Sequence, residues 1–137
     1  MDFLNEVAKE FVGKCETDEG VLIIRFQDNR LQLFNDTAIS IAVQYSKNTA
    51  TCRVFAYVWP DIEAEVGMVH ELCNKLNSQA GNYVRYYLNE ENDVMVELNY
   101  CAFVDDVFTR VITPGMVSRI AKAVDEAYLA FYDLKKA

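Results

Sequence analysis

The chain contains few of the residues from which reaction centres are built. It has one histidine, His70, and four cysteines at positions 15, 52, 73 and 101, with no C-x-x-C pair among them. Zinc knuckles and redox-active dithiols need such close spacing, so neither is indicated. His70 and Cys73 lie three residues apart, but no third group is available to orient a catalytic pair. The sequence also lacks a glycine-rich phosphate-binding loop. We therefore predict no catalytic residue, no metal site and no cofactor.

Acidic residues cluster in the turn at 89–93 and at Asp105-Asp106, but without the spacing of a calcium-binding loop. A calcium site requires several oxygen ligands that converge in one rigid loop, and neither cluster offers them. The simpler interpretation is that these carboxylates are solvated acids in turns.

Long apolar runs and an excess of positive charge are also missing. No segment reaches the roughly 20 apolar residues of a membrane-spanning helix, and the start, MDFLNEVAKE, lacks the features of an export signal. The chain carries 21 acidic and 13 basic residues, a formal net charge of -8. Phosphate backbones and anionic lipid surfaces repel such a chain. We expect a cytoplasmic protein with reduced cysteines that binds neither nucleic acid nor membrane.

The residues that are present suit one globular domain spanning 1–137. Hydrophobic residues make up 52% of the chain, whereas proline and glycine occur only 2 and 5 times. A chain of this size buries about two thirds of the surface that its unfolded form exposes, so it can sustain its own core.

Hydrophobic spacing predicts three helices and a set of strands. The first helix ends near Gly13; the second starts at Ile62, capped by Asp61 after Pro60; the last opens at Thr113-Pro114. The predicted strands cover 20–27, 38–46, 51–59, 83–88 and 94–104, and 30–36 is a candidate sixth. The order α-β-β-β-α-β-β-α, with short turns between strands, predicts an α+β fold: an antiparallel sheet of five or six strands with three helices packed on it.

Alternation within the predicted strands separates an aliphatic face from an aromatic one. In TCRVFAYVW, the first face carries Cys52, Val54, Ala56 and Val58, and the second carries Arg53, Phe55, Tyr57 and Trp59. If helices cover the aliphatic face, the aromatic face is a candidate partner or dimer surface. Its candidate residues are Phe55, Tyr57, Trp59, Arg85 and Tyr87. The alternative is that a helix covers this face instead of the aliphatic one, or that both faces are buried within the monomer.

Two stretches carry a family resemblance. ELCNKLNSQAGNYVRYYLNEENDVMVELNY, followed by VITPGMVSRIAKAVDEAYLAFY, resembles the YbjN-like family, the bacterial sensory transduction regulators, in four features. These are a helix ending in Leu-Asn, an aromatic-Arg strand with an acidic turn, an alternating strand and a capped final helix. Asn89 departs from the aspartate expected at the start of the turn. The resemblance implies a type III secretion chaperone-like fold and a homodimer, and it implies no catalytic residues.

Three functions follow as hypotheses. The first is a non-enzymatic protein-binding domain, regulatory or chaperone-like, bacterial and homodimeric. The second is a dedicated type III secretion-type chaperone that binds an extended segment of an exported client. The third is a small enzyme of unknown class, for which the spacing of polar residues offers no site.

Overall fold

Six antiparallel strands and three helices are found in a computed structural model that describes residues 3–11, 15–18, 20–26, 39–79, 84–101 and 103–136. The helices are α1 (Phe3–Ala8, followed by a 3-10 turn, Lys9–Phe11), α2 (Val66–Gln79) and α3 (Thr113–Lys136). The strands are β1 (Cys15–Asp18), β2 (Val21–Phe26), β3 (Ile39–Ser46), β4 (Thr51–Trp59), β5 (Arg85–Leu88) and β6 (Val94–Cys101), in the sheet order β1-β2-β3-β4-β6-β5. The predicted α+β fold is confirmed.

The strand β1 is absent from the sequence prediction. Its four residues, CETD, are too short and too polar to show alternation, and the strand depends on its partner, with Cys15 opposite Ile24 and Asp18 opposite Val21. Gly20 lies in the connecting turn with a φ of 78°, where a side chain would be strained. The candidate strand at 30–36 lies outside the described residues.

The hydrophobic core lies between one face of the sheet and the three helices. The sheet contributes mainly aliphatic residues at alternate positions: Leu22, Ile24, Ile41, Val43, Cys52, Val54, Ala56, Val58, Val94, Val96 and Leu98. The helix α3 packs on β3, β4 and β6, and its apolar residues at helical spacing face the sheet, with Val117, Ile120, Val124, Ala127 and Phe131 buried and Leu134 partly buried. Each fully buried aliphatic side chain stabilises the fold by about 1.5–3 kcal/mol.

The helix α2 starts four residues later than predicted. Glu65 caps it, because its carboxylate accepts hydrogen bonds from the backbone N–H groups of Gly67 and Met68, both at 3.0 Å. Asp61 is not the cap. It adopts a φ of 46°, and its N–H donates to Asp93 Oδ1 at 2.8 Å. Asp93 is buried, so the expectation of a solvated acid fails at this position.

The last helical stretch begins before the predicted start at Thr113. Asp105 Oδ1 accepts a hydrogen bond from the N–H of Phe108 at 2.7 Å, and a π-helical turn, Phe108–Ile112, leads into α3. The N–H of Thr113 bonds back to the carbonyl of Phe108, five residues earlier. A proline lacks an N–H and its ring clashes with the carbonyl four residues before it. The wider π turn therefore lets Pro114 follow without breaking the helix.

All four cysteines are free, and two of them lie in the core. Cys52 and Cys73 are buried, Cys15 is partly buried and Cys101 is exposed. Burial raises the pKa of Cys52 from 9.0 to about 12 and the pKa of Cys73 from 9.0 to about 11. Both thiols are therefore protonated at neutral pH and are poor nucleophiles.

These raised pKa values predict a loss of stability in alkali. Above pH 9 the unfolded thiols lose their protons while the folded ones keep them, so the free energy of unfolding falls as pH rises toward 11. Urea unfolding at pH 7.5 and pH 10 should differ by about 1 kcal/mol for each buried thiol. A Cys52→Ala, Cys73→Ala variant should show a correspondingly smaller difference. Equal pH dependence of the two proteins would contradict the assignment.

Candidate protein-binding surface

The face of the sheet opposite the helices carries the predicted aromatic residues. It is called the open face here, and its described residues are Glu16, Val21, Ile23, Arg25, Ser40, Ala42, Gln44, Ser46, Thr51, Arg53, Phe55, Tyr57, Arg85, Tyr87, Met95, Glu97, Asn99 and Cys101. Apart from Met95 and Glu97, these residues are half-buried or exposed, and the core cluster between sheet and helices contains none of them. Tyr57 is 50% exposed. The described residues of the open face thus lie outside the core.

Strand pairing arranges the part of the open face on β4, β6 and β5 in two rows. The strand β6 lies between β4 and β5, so Met95 is opposite Tyr57 on one side and Tyr87 on the other. In the next row, Glu97 is opposite Phe55 and Arg85. Met95 is only 4% exposed although it lies on the face away from the helices. The first row is therefore an apolar strip, Tyr57–Met95–Tyr87, and the second row carries charge beside it.

Two arginines on the neighbouring strands β4 and β5 share one carboxylate on β6. Glu97 Oε2 accepts from Arg53 Nε at 2.7 Å, and its Oε1 accepts from Arg85 Nη1 at 3.3 Å. Arg53 also donates through Nη2 to the hydroxyl oxygen of Tyr87 at 2.8 Å. Burial by itself would lower the pKa of Arg53, but the hydrogen bonds and charges of Glu97 and Tyr87 outweigh burial and raise it. Arg53 is thus a fixed positive charge.

Both arginines also stack on aromatic rings of their own strands, which further restricts their side chains. The guanidinium carbon of Arg53 lies 4.0 Å from the centroid of the Phe55 ring, and that of Arg85 lies 5.0 Å from the centroid of the Tyr87 ring. Contacts at these distances are favourable cation–π interactions. Because the aromatic rings and guanidinium groups are ordered before any partner arrives, less conformational entropy is lost on binding.

Four of the five predicted surface residues are brought together, and one is not. Phe55, Tyr57, Arg85 and Tyr87 lie on the open face. The prediction that Trp59 shares this face is wrong. The register shifts between Tyr57 and Trp59, and the indole ring lies 4.9 Å from the ring of Tyr128 and 6.0 Å from that of Tyr132, both on α3. Trp59 thereby packs against the core.

Sequence reasoning does not select Arg53 and Glu97, although they organise the site. Alternation does place both on the aromatic face, but it does not reveal that a residue of β4 meets one 44 positions later. The signal that could have identified them is charge complementarity on one face. A carboxylate on β6 lies between arginines on its two neighbouring strands, β4 and β5.

A second apolar surface lies at the end of β6 and on the π-helical turn. Phe103 is 88% exposed, Val111 65% and Val107 58%. Tyr100, at 42%, lies beside them in sequence, and its ring contacts Phe108. This group, called the apolar ledge, is not predicted from sequence, because the π-helical turn interrupts the helical periodicity.

The described residues offer little for metal chemistry. Within the described part of the chain, no three His, Cys, Asp or Glu side chains are grouped so that they could hold a metal ion. His70 is exposed on α2 and Cys73 is buried. None of the helices that the structure describes combines the length and the apolarity needed to cross a membrane.

Comparison with known proteins bears on the fold. No protein-family model matches the chain, and no curated protein sequence matches it. Solved structures do match. YbjN from E. coli gives a TM-score of 0.63 at 12% identity over 93% of this chain and 89% of that one. A chain of the ExsC-ExsE complex gives 0.60 at 9% identity over 93% and 95%.

A third match is a chain of the heterodimeric ExoU-SpcU complex from the type III secretion system of Pseudomonas aeruginosa, with a TM-score of 0.52 at 11% identity over 95% of this chain and 94% of that one. Identities this low are evidence about architecture only. The chain thus has a YbjN-like fold, which the matched chains of the ExsC-ExsE and ExoU-SpcU complexes share.

Proposed function

We propose that this protein is a non-enzymatic protein-binding domain that acts through its open face. The observation that carries the proposal is the ordered cluster on β4, β6 and β5, where Arg53 and Arg85 are fixed by Glu97 and stacked on aromatic rings. Aromatic residues and arginine dominate binding energy at protein interfaces. A cluster of this composition, ordered and half-exposed, suits a surface that receives another protein.

The matched structures support a protein partner. Two of them come from complexes, ExsC-ExsE and ExoU-SpcU, and the third, YbjN, is a proposed transcription regulator. By analogy, the protein is either a regulator or a chaperone of a secretion system, bacterial, cytoplasmic and homodimeric. As a dedicated secretion chaperone it would bind an extended segment of an exported client, and the exposed aromatic strip on a sheet suits such a segment.

Replacing Tyr57 and Tyr87 by serine should weaken partner capture without unfolding the protein. Both rings lie on the open face, outside the core cluster. Removal of two interface aromatics typically costs 2 kcal/mol or more of binding, about a 30-fold loss of affinity. The measurement is the amount of each protein retained from a native-cell lysate by the immobilised chain, quantified by mass spectrometry.

The matched control is a Tyr100→Ser, Phe103→Ser variant, which removes two exposed aromatics from the apolar ledge. It should retain the same proteins as the original chain. Circular dichroism melting should show that both variants are folded. Equal retention by the Tyr57, Tyr87 variant, or loss only with the ledge variant, would refute the open face as the binding surface.

A further inference from the structure

The open face is more positive than the rest of the molecule. Its described side chains include three arginines, Arg25, Arg53 and Arg85, against two carboxylates, Glu16 and Glu97, whereas the whole chain has a formal net charge of -8. Electrostatic complementarity steers association and selects partners. A face that is more positive than its surroundings therefore favours a partner with acidic side chains.

The excess positive charge is localised near β5. At the far edge of the sheet, Arg25 and Glu16 pair at 2.6 Å and neutralise each other. At the β5 end of the sheet, Arg53 and Arg85 share the single carboxylate of Glu97. Arg53 makes two hydrogen bonds and is the less exposed, at 32% of its side chain, whereas Arg85 bonds Glu97 through one nitrogen and is 68% exposed. A guanidinium has five N–H donors, so Arg85 can donate hydrogen bonds to a second carboxylate as well as to Glu97.

The spacing between Arg85 and Tyr87 matches the spacing of side chains on one side of an extended chain. Arg85 and Tyr87 are two residues apart on β5 and project on the same side of the sheet, about 7 Å apart along the strand. An extended segment running along β5 also places every second side chain on one face. A carboxylate placed on Arg85 therefore leaves the side chain two positions away over the strip Tyr57–Met95–Tyr87.

We propose that the open face binds an extended protein segment in which an acidic residue and an apolar residue are two positions apart. The acidic side chain pairs with Arg85, and the apolar side chain lies on the strip Tyr57–Met95–Tyr87. Glu97 is the positioning residue, because its carboxylate holds both guanidinium groups in place. This inference rests on the proposed function and adds the chemistry of the partner.

The test is selection of a displayed library of random 12-residue peptides on the full chain and on three variants. The original chain should enrich peptides with an acidic residue two positions from an apolar one. Arg85→Gln should lose the acidic preference, and Arg85→Glu should select basic residues in its place. Arg25→Glu, on the same face but at the neutralised edge, should select the same peptides as the original chain. A selected acidic peptide should bind Arg85→Glu at least 10-fold more weakly in a fluorescence titration.

The outcomes of this selection distinguish failure of the inference about the acidic segment from failure of the proposed function. Peptides that are enriched without an acidic residue, or whose binding is unchanged by both Arg85 variants, would overturn the inference and leave the proposed function standing. No enrichment on a folded original chain would count against both. Absence of enrichment together with a fall from dimer to monomer mass in Arg85→Glu would mean that a second copy of the chain occupies the face, and would also overturn the inference. Because Arg85 is mostly exposed, the variants should melt close to the original chain.

Discussion

Replacing both Ile41 and Leu98 by serine is expected to leave the protein unfolded in water at 25 °C. Ile41 lies on β3 and Leu98 on β6, and they are 0% and 3% exposed on the face covered by the helices. Truncation of a buried Ile or Leu costs about 2–5 kcal/mol, and an unpaired buried hydroxyl adds about 1–3 kcal/mol. The sum for two sites, roughly 6 kcal/mol or more, is comparable to the whole stability of a domain of this size.

The control uses the next residue along each of the same strands. Ala42 and Asn99 face the open side, where Ala42 is half-buried and Asn99 is exposed. An Ala42→Ser, Asn99→Ser variant should stay within about 1 kcal/mol of the original chain. Circular dichroism melting and urea unfolding measure both variants. If the control loses as much stability as the core variant, the assignment of the two faces is wrong.

The two faces could be predicted from sequence because they depend on local geometry. In a regular strand, side chains alternate at every residue, so a run such as ISIAVQYS separates buried from exposed positions without knowledge of its neighbours. Trp59 marks the limit of this reasoning. The register shift before Trp59 is a feature of the pairing of β4 with β6, and the alternation along β4 does not show it.

The start of α2 was mispredicted for a similar reason. Pro60-Asp61 has the local features of a helix start, but the buried carboxylate of Asp93, 32 residues later, accepts the Asp61 N–H and holds this turn outside the helix. The Arg53–Glu97–Arg85 network is likewise made by residues from three separate strands. Sequence reasoning therefore predicts which side chains share a face, whereas the contacts between them require the register of the strands.

Asn77, in the Leu-Asn pair near the end of the second helix, has a structural role that the sequence alone does not reveal. Among the strands that the structure describes, β5 lies at one edge of the sheet. Asn77 of α2 covers that edge, because its Nδ2 donates to the Tyr86 carbonyl at 2.9 Å and its Oδ1 accepts from the Tyr86 N–H at 2.7 Å. The amide side chain thus makes the two hydrogen bonds that a neighbouring strand would make. Unpaired strand edges invite pairing with other chains, so Asn77 also protects against aggregation.

Replacing Asn77 by alanine should destabilise the protein by about 2–6 kcal/mol, because it leaves both the N–H and the carbonyl of the buried Tyr86 without their partner, at about 1–3 kcal/mol each. Hydrogen exchange at the Tyr86 amide should accelerate by about two orders of magnitude, since a loss of 2.7 kcal/mol corresponds to about 100-fold.

The matched control is Asn74→Ala, the same chemical change at an exposed position one turn earlier on α2. Both variants gain the same helix propensity from alanine, so their difference isolates the contacts with β5. Urea unfolding and exchange mass spectrometry of residues 85–88 measure the effect. Equal stability of the two variants would show that water replaces Asn77 at this edge and that the amide bonds contribute nothing to the fold.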